Sequence, residues 1–346
     1  ATYGHVPLRS SAACARHFAH RDHLACSDFL AWYEEADRMK TPIARLINAS
    51  PLDIAFVQNS SVALGLIAGG LDWKPGDNLV TLADEFPNQL YLSAHIAHRG
   101  VELREALPGN LDRAIDSRTR LVALSEVNYS SGYRAPVAEI SRLAHARGAF
   151  VYLDGTQSTG ALRIDVAASQ PDALAVHAYK WMCSPTGIGF LYINSALRSQ
   201  IRPNSIGWRS HRDWRNVDNL HHGAPELIDT AERYEGGGLS FGLLHSLGES
   251  VGMMLEIGPE NIESRVLSLA NDARVRLRNL GAEVPDYNSQ IATAKFPRHN
   301  PSHLARELKS RNILVAARHG YLRVSPHFYN NAADLDALES GLRSLL

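Results

Sequence analysis

Cysteine is scarce in this 346-residue chain: Cys14, Cys26 and Cys183 are too few and too scattered for a disulfide framework. A reducing, cytoplasmic setting is the expectation. No run of about 18 apolar residues occurs, so no membrane-spanning helix and no membrane partner are expected. Neither charge is in excess, with 35 Lys+Arg against 36 Asp+Glu and a formal net charge of −1. The isoelectric point lies near 7.1. That balance excludes a polybasic nucleic-acid binder and an acidic disordered tail. The first residue is Ala1 and no charged-then-apolar leader follows, so no signal peptide is expected. No Gly-x-Gly-x-x-Gly opens a helix after a strand, and no Gly-x4-Gly-Lys-Ser/Thr exists, which argues against Rossmann and P-loop nucleotide sites. No internal repeat and no low-complexity segment is visible.

What is present is enough apolar material, 45% of residues, for a large buried core without staples. The length suggests about two domains. Short apolar runs at 54–57, 79–82, 101–104, 121–125, 150–153, 173–176 and 187–193 read as strands. Helical stretches alternate with them at 60–69, at 88–98 (started by Asn88 after Pro87) and at 137–147, stopped by Gly148. Alternation of this kind predicts an α/β fold with a mainly parallel sheet covered on both faces. From 198 to 235 the chain is rich in Arg, His, Asn and Trp, lacks periodicity, and runs into Gly236-Gly237-Gly238. A loop this long is usually functional. Helices at 239–257 and 259–280 follow. Then come a strand at 290–296, a helix at 302–311, strands at 313–316 and 321–325, and a helix at 332–346. The expected organisation is a large sheet domain, 15–250, and a small α+β domain, 251–346. Residues 1–14 are expected to pack near the cleft or the small domain.

Two residues stand out chemically. Asp154 ends the apolar run Val151-Tyr152-Leu153, where open α/β sheets bind ligands, although for this residue taken alone a helix N-cap is the simpler reading. Lys180 follows the strand at 173–176, between Tyr179 and Trp181, and precedes the turn Pro185-Thr186-Gly187-Ile188-Gly189. A lysine held against aromatic and apolar neighbours loses basicity and can attack a carbonyl as an amine.

This arrangement resembles the class V aminotransferase family of pyridoxal-phosphate (PLP) enzymes, a group that includes cysteine desulfurases, kynureninases and isopenicillin-N-epimerase-like proteins. Further segments agree in order and spacing: Gln58-Asn59-Ser60-Ser61, Asp84-Glu85-Phe86-Pro87-Asn88, Val127-Asn128-Tyr129-Ser130-Ser131-Gly132, Arg233 to Gly238, and Arg323-Val324-Ser325-Pro326-His327-Phe328-Tyr329-Asn330. The resemblance implies PLP fold type I and pyridoxal 5'-phosphate held as a Schiff base on Lys180. Lys180 would also shuttle the α-proton, and Asp154 would pair with the pyridinium nitrogen. Gln157 would donate to the cofactor's phenolic oxygen, and Phe86 would stack on its ring. Many relatives carry a His at that place; Phe86 cannot transfer a proton. Ser60, Ser61, His177 and Tyr179 would hold the phosphate. Arg323 would clamp the substrate carboxylate, with Asn128 orienting that carboxylate or the phenolic oxygen, and Arg318 is the next candidate clamp. A homodimer is implied, with the glycine loop reaching the partner's phosphate. The family often has a Thr there, where this chain has Gly238.

The leading expectation is a class V aminotransferase acting on a small amino acid or keto acid. The alternatives are a C–S lyase, an isopenicillin-N-epimerase-like enzyme, or a catalytically silent binding protein. A cysteine desulfurase of the usual kind needs a nucleophilic Cys in the C-terminal domain, and the last cysteine here is Cys183. Histidines at His17, His20 and His23 recur at three-residue spacing, with Asp22 and Cys26 nearby; a solvated helix face is expected there, and no metal.

Overall fold

The computed structural model describes residues 3–24, 27 and 29–346; Cys26 lies outside them. Seven strands form the main sheet: β1 (Ile54–Val57), β2 (Asn78–Leu82), β3 (Glu102–Ala106), β4 (Thr119–Ser125), β5 (Phe150–Asp154), β6 (Ala173–His177) and β7 (Gly189–Ile193). Their order is β1-β7-β6-β5-β4-β2-β3. All pairs are parallel except those of β7, which is antiparallel to both β1 and β6. The mainly parallel sheet expected from the sequence is therefore present. Strand β1 again runs with β6, so the carboxyl ends of β1, β2, β4, β5 and β6 share one edge.

Side-chain alternation along the strands feeds two separate cores. Val151 and Leu153 of β5, Leu174 and Val176 of β6, and Phe190 and Tyr192 of β7 enter one cluster. Tyr152, Ala173, Ala175, Leu191 and Ile193 enter the other. Both faces are apolar because both are covered, which is why these strands read as unbroken hydrophobic runs. The helix Ser60–Gly70 packs on the second face. Helices Phe29–Ile47, Val137–His145 and Phe241–Ile257 cover the first.

A third core lies under a three-stranded antiparallel sheet of β8 (Ala292–Ala294), β9 (Ala316–Arg318) and β10 (Tyr321–Val324), in the order β8-β10-β9. The helix Pro259–Asn279 belongs to both bodies: Ile262 and Val266 join the large core, and Leu269, Ala273 and Leu277 join the small one.

Several boundaries differ from expectation. Asn88 does not start its helix, which is Pro87–Ile96 with Phe86 at the cap position. Proline's fixed φ suits the first helical position and moves the start forward. Strand β9 begins at Ala316 rather than 313, because the Ile313 amide turns back to the Leu308 carbonyl at 2.9 Å and closes the preceding helix. Strand β8 is shorter than 290–296: the Ile291 carbonyl accepts from Arg274 at 3.0 Å and the Ile291 amide donates to the Ser289 hydroxyl at 3.4 Å, outside the ladder. His17 is not on a solvated face. It is buried, with its ring 5.1 Å from that of His245.

The middle of the stretch 198–235 is ordered around the buried Arg209. The Arg209 guanidinium lies 4.4 Å from the Tyr33 ring and 4.6 Å from the Trp214 ring, and pairs with Glu232 and Glu235 at 3.0 Å each. Its own amide donates to the Gly236 carbonyl at 3.0 Å. A side chain on Gly207 would meet that carbonyl at 2.6 Å, so the glycine loop is pressed against this segment.

Candidate active site

The common carboxyl edge collects most of the residues singled out in the sequence. Asp154, the last residue of β5, is buried, and one carboxylate oxygen accepts the Thr156 amide at 2.9 Å. The Thr156 hydroxyl accepts the His177 amide at 3.1 Å, which ties the end of β5 to the end of β6. Lys180 sits in the turn after β6. The Ala178 amide donates to Ile188 and the Cys183 amide to the Lys180 carbonyl, and Cys183 takes a φ of 55°. The Lys180 ammonium lies 5.4 Å from the Tyr179 ring centroid and 5.9 Å from that of Phe86.

Burial pulls the Lys180 pKa down to about 8; Asp154 opposes the shift, and the positive charges of Arg323 and Arg318 assist it. At pH 7 the ammonium still predominates, but the free amine that a nucleophile or general base requires is far more populated than for an ordinary lysine.

Two phosphate-type donor groups lie on the same edge of the sheet. The Ser60 and Ser61 amides open the helix Ser60–Gly70 and have no carbonyl of their own helix to bond. Asn59 caps the turn by accepting the Val62 amide at 2.9 Å, and the Tyr152 hydroxyl donates to the Ser60 carbonyl at 3.0 Å. That bond sets the helix N-terminus over β5. The Nε2 of His177 accepts the Gly187 amide at 3.2 Å, so the ring proton sits on Nδ1. Burial, and then Lys180, lower the His177 pKa.

Gln157 is buried; its side-chain oxygen accepts the Trp181 indole at 3.1 Å, which directs the amide nitrogen the other way. Phe86 is 38% exposed and meets the Tyr129 ring edge-on at 5.2 Å. The Asn128 side chain is largely committed to its own turn. Its oxygen accepts from Ser130 and Ser131, and its nitrogen donates to the Asp84 carbonyl at 3.0 Å. One N–H therefore remains of the polar group expected to orient a ligand.

Arg323, on β10, is buried and donates to the Tyr129 carbonyl. Burial, and then repulsion by Arg318, lower its pKa to about 10. Gly238 is placed elsewhere. It lines a cavity of about 550 Å³ together with Gln58, Val62, His95, Gly187 and Ser240, and Lys180, Asp154 and Arg323 are absent from its wall.

Four features escaped sequence reasoning. The Glu85 carboxylate is buried and accepts the Ser125 amide at 2.8 Å and hydroxyl at 2.7 Å; burial raises its pKa. The Tyr129 hydroxyl lies 2.7 Å from His319 Nε2. His327 is stacked between Trp181 and Tyr329, with centroids at 4.9 and 4.3 Å, and braces the lysine turn from below. The Gly4 amide donates to the Tyr179 carbonyl at 3.0 Å, and a Cβ there would lie 2.0 Å from the Lys180 carbonyl oxygen. Glu85, Tyr129 and His327 lie inside the matched segments, but nothing in their spacing separates a lining residue from a filler.

The family model for aminotransferase class V matches residues 18–338. The chain belongs to the class V aminotransferase family, and its cofactor is pyridoxal 5'-phosphate. Among curated relatives, a protein named "Probable cysteine desulfurase" from Methanothermobacter thermautotrophicus is 26% identical, covering 88% of this chain and 82% of its own length. The isopenicillin N epimerase of Streptomyces clavuligerus is also 26% identical, over 88% of this chain and 82% of its own. Among solved structures, the cystine C–S lyase C-DES in complex with cysteine persulfide superposes with a TM-score of 0.89 at 20% identity, covering 99% of this chain and 97% of that one. The fold is PLP fold type I. Among the described residues no helix is long and apolar enough to cross a membrane.

Proposed function

We propose that the protein is a PLP-dependent enzyme acting at the α-carbon of an amino acid, with amino-group transfer as its reaction. The observation behind this reading is the convergence of Lys180, with its lowered basicity, and Asp154 at the ends of adjacent strands. The donor set fits the cofactor: an amine, a buried carboxylate, a helix N-terminus with free amides, and a histidine with a ring N–H. Bound PLP supplies a carbonyl carbon for imine formation and a ring that accepts the electron pair of a broken bond at Cα.

The chain's own residues divide the rest. Lys180 binds the cofactor and then takes and returns the α-proton at Nζ. Asp154 would pair with the ring nitrogen and keep it protonated. Ser60, Ser61, His177 and Tyr179 would hold the phosphate, and the Gln157 amide nitrogen would donate to the phenolic oxygen. The partly exposed Phe86 offers an aromatic face to the ring and no proton. Arg323 fixes the substrate carboxylate, and Asn128 contributes its remaining N–H. Lys180 and Asp154 are both retained, which argues against a catalytically silent binding protein.

A second reading, a C–S lyase, draws on relatives named for desulfurase activity and on a specific local fact. Cys183 is buried, and burial pushes its thiol up to about 12, so it does not offer a thiolate to accept sulfur. Elimination without a protein thiol is the sulfur chemistry open to this site. Epimerisation asks for a second acid–base group on the opposite face, and Phe86 does not supply one. A homodimer is proposed as well, with Gly236–Gly238 lying at the neighbouring subunit.

The test is an amino-acid and keto-acid panel on the PLP-loaded protein, read by the shift of the cofactor's visible band and by product analysis. Keto-acid formation that depends on an amino acceptor supports transfer. Sulfide or persulfide with pyruvate from sulfur amino acids selects the lyase. No band shift with any amino acid rejects both.

A further inference from the structure

The hairpin that carries Arg323 also carries a second guanidinium on the same face. In the antiparallel pair, Tyr321 lies opposite Arg318, Leu322 opposite Ala317, and Arg323 opposite Ala316. Opposite residues point the same way and neighbours along a strand alternate. Leu322 and Val324 enter the small core, with Ala292 and Ala294 of β8 beside them. Arg318, Tyr321 and Arg323 therefore project from the other side. Thr293 of β8, paired with Arg323, shares that side and donates to the Ser131 carbonyl at 3.0 Å. The face thus looks onto the loop 128–131 beside Lys180.

Arg318 and Arg323 are diagonal neighbours on it, a separation of about 7–8 Å between backbone positions. Arg318 is half-buried, donates to the Ala317 carbonyl at 2.7 Å, and pairs with no carboxylate among the described residues. Two of the nearby acids are otherwise engaged, Glu85 with Ser125 and Asp154 with Thr156, and Asp84, the third, forms no ion pair with Arg318. The hairpin tip is held over the site by the contact of His319 with Tyr129 at 2.7 Å.

Placing a second cation beside Arg323 and Lys180 is electrostatically unfavourable in the absence of an anion: Arg318 disfavours the charged form of both Lys180 and Arg323. A single α-carboxylate satisfies one guanidinium bidentately. We propose that Arg318 is a second anion-binding residue of this site, and that the amino acid taken by the enzyme carries a second acid group on its side chain. This rests on the reading of Arg323 as the α-carboxylate clamp.

Matched pairs test it on the PLP-loaded protein: aspartate against asparagine, glutamate against glutamine, and S-carboxymethylcysteine against S-methylcysteine. The acid member of at least one pair is expected to exceed its neutral partner at least tenfold in kcat/KM. In Arg318→Ala that ratio should fall at least tenfold, and Arg318→Lys should restore part of it; Arg323→Ala should lower both members alike and preserve the ratio. Calorimetry with unreactive acids gives an independent readout: wild-type protein should bind succinate or glutarate more tightly than butyrate, and Arg318→Ala should erase the difference. An unchanged ratio in Arg318→Ala, or no acid preference in an enzyme that turns over neutral amino acids, overturns the Arg318 assignment alone. A cofactor band that no amino acid perturbs overturns the underlying function as well.

Discussion

The Tyr129 hydroxyl and His319 Nε2 stand 2.7 Å apart, and the Tyr129 carbonyl accepts from Arg323. Tyr129 follows β4 of the main sheet, whereas His319 and Arg323 belong to the β9–β10 hairpin of the small one. One residue therefore ties the two bodies together through both its backbone and its side chain, over the lysine. Tyr129→Phe removes the hydroxyl contact and keeps the ring against Phe86. The hairpin should then sample open positions, raising KM for amino acids several-fold more than it lowers kcat, with the bound-cofactor absorbance unchanged. Steady-state kinetics beside a spectrum of the resting enzyme check this; an unchanged KM would show that the contact does not position the hairpin.

Lys180 gives a pH dependence with a definite sign. Its folded pKa lies near 8, below the ordinary 10.5, so the reactive free amine gains population as pH rises through about 8. Capture of PLP by the cofactor-free protein should accelerate across pH 7–9 with a midpoint near 8. Asp154 opposes the lowering, so Asp154→Asn should move the midpoint down, while Arg318→Ala should move it up. Stopped-flow absorbance against pH measures all three; a midpoint near 10 would mean that the amine is not held in the buried setting.

Arg323 is expected to act on substrate and not on cofactor. Arg323→Ala should retain the bound-cofactor band and lose roughly 1.5–3 kcal/mol in kcat/KM for amino acids, the scale of a charge-assisted hydrogen bond. Arg323→Lys should recover part, because an ammonium cannot make two parallel bonds. Loss of the cofactor from the Ala variant would place the arginine wrongly.

Gly4 is a steric prediction. A Cβ there would sit 2.0 Å from the Lys180 carbonyl oxygen, a backbone atom that no side-chain rotation can move. Gly4→Ala should displace the segment from the lysine turn, expose the Tyr179 carbonyl that the Gly4 amide now satisfies, and weaken PLP retention. Hydrogen exchange around Tyr179–Cys183 and a PLP titration report it. Unchanged exchange would show that the contact is dispensable.

How much was legible follows from what each residue answers to. The run ending in Asp154 was readable because both faces of β5 are buried, so the strand and its polar end need no tertiary information. Lys180 was readable for the same reason, as a charge placed where the apolar run stops. The burial of His17 and Arg209 was not: His17 packs on His245 and Arg209 on Tyr33, each partner more than 170 residues away in sequence, with Trp214 closing the other side of Arg209. Glu85 was hidden because its partner is the Ser125 backbone across β2 and β4. Asn88 misled because proline sets the helix start more strongly than a capping side chain does.

The most direct test is the site of covalent cofactor attachment. Borohydride reduction of the PLP-loaded protein, followed by peptide mass mapping, should place one pyridoxyl group on Lys180 and remove activity in proportion to labelling. A pyridoxyl group on Lys74, on Lys295 or on no lysine at all would contradict the assignment of Lys180 and, with it, the proposed chemistry.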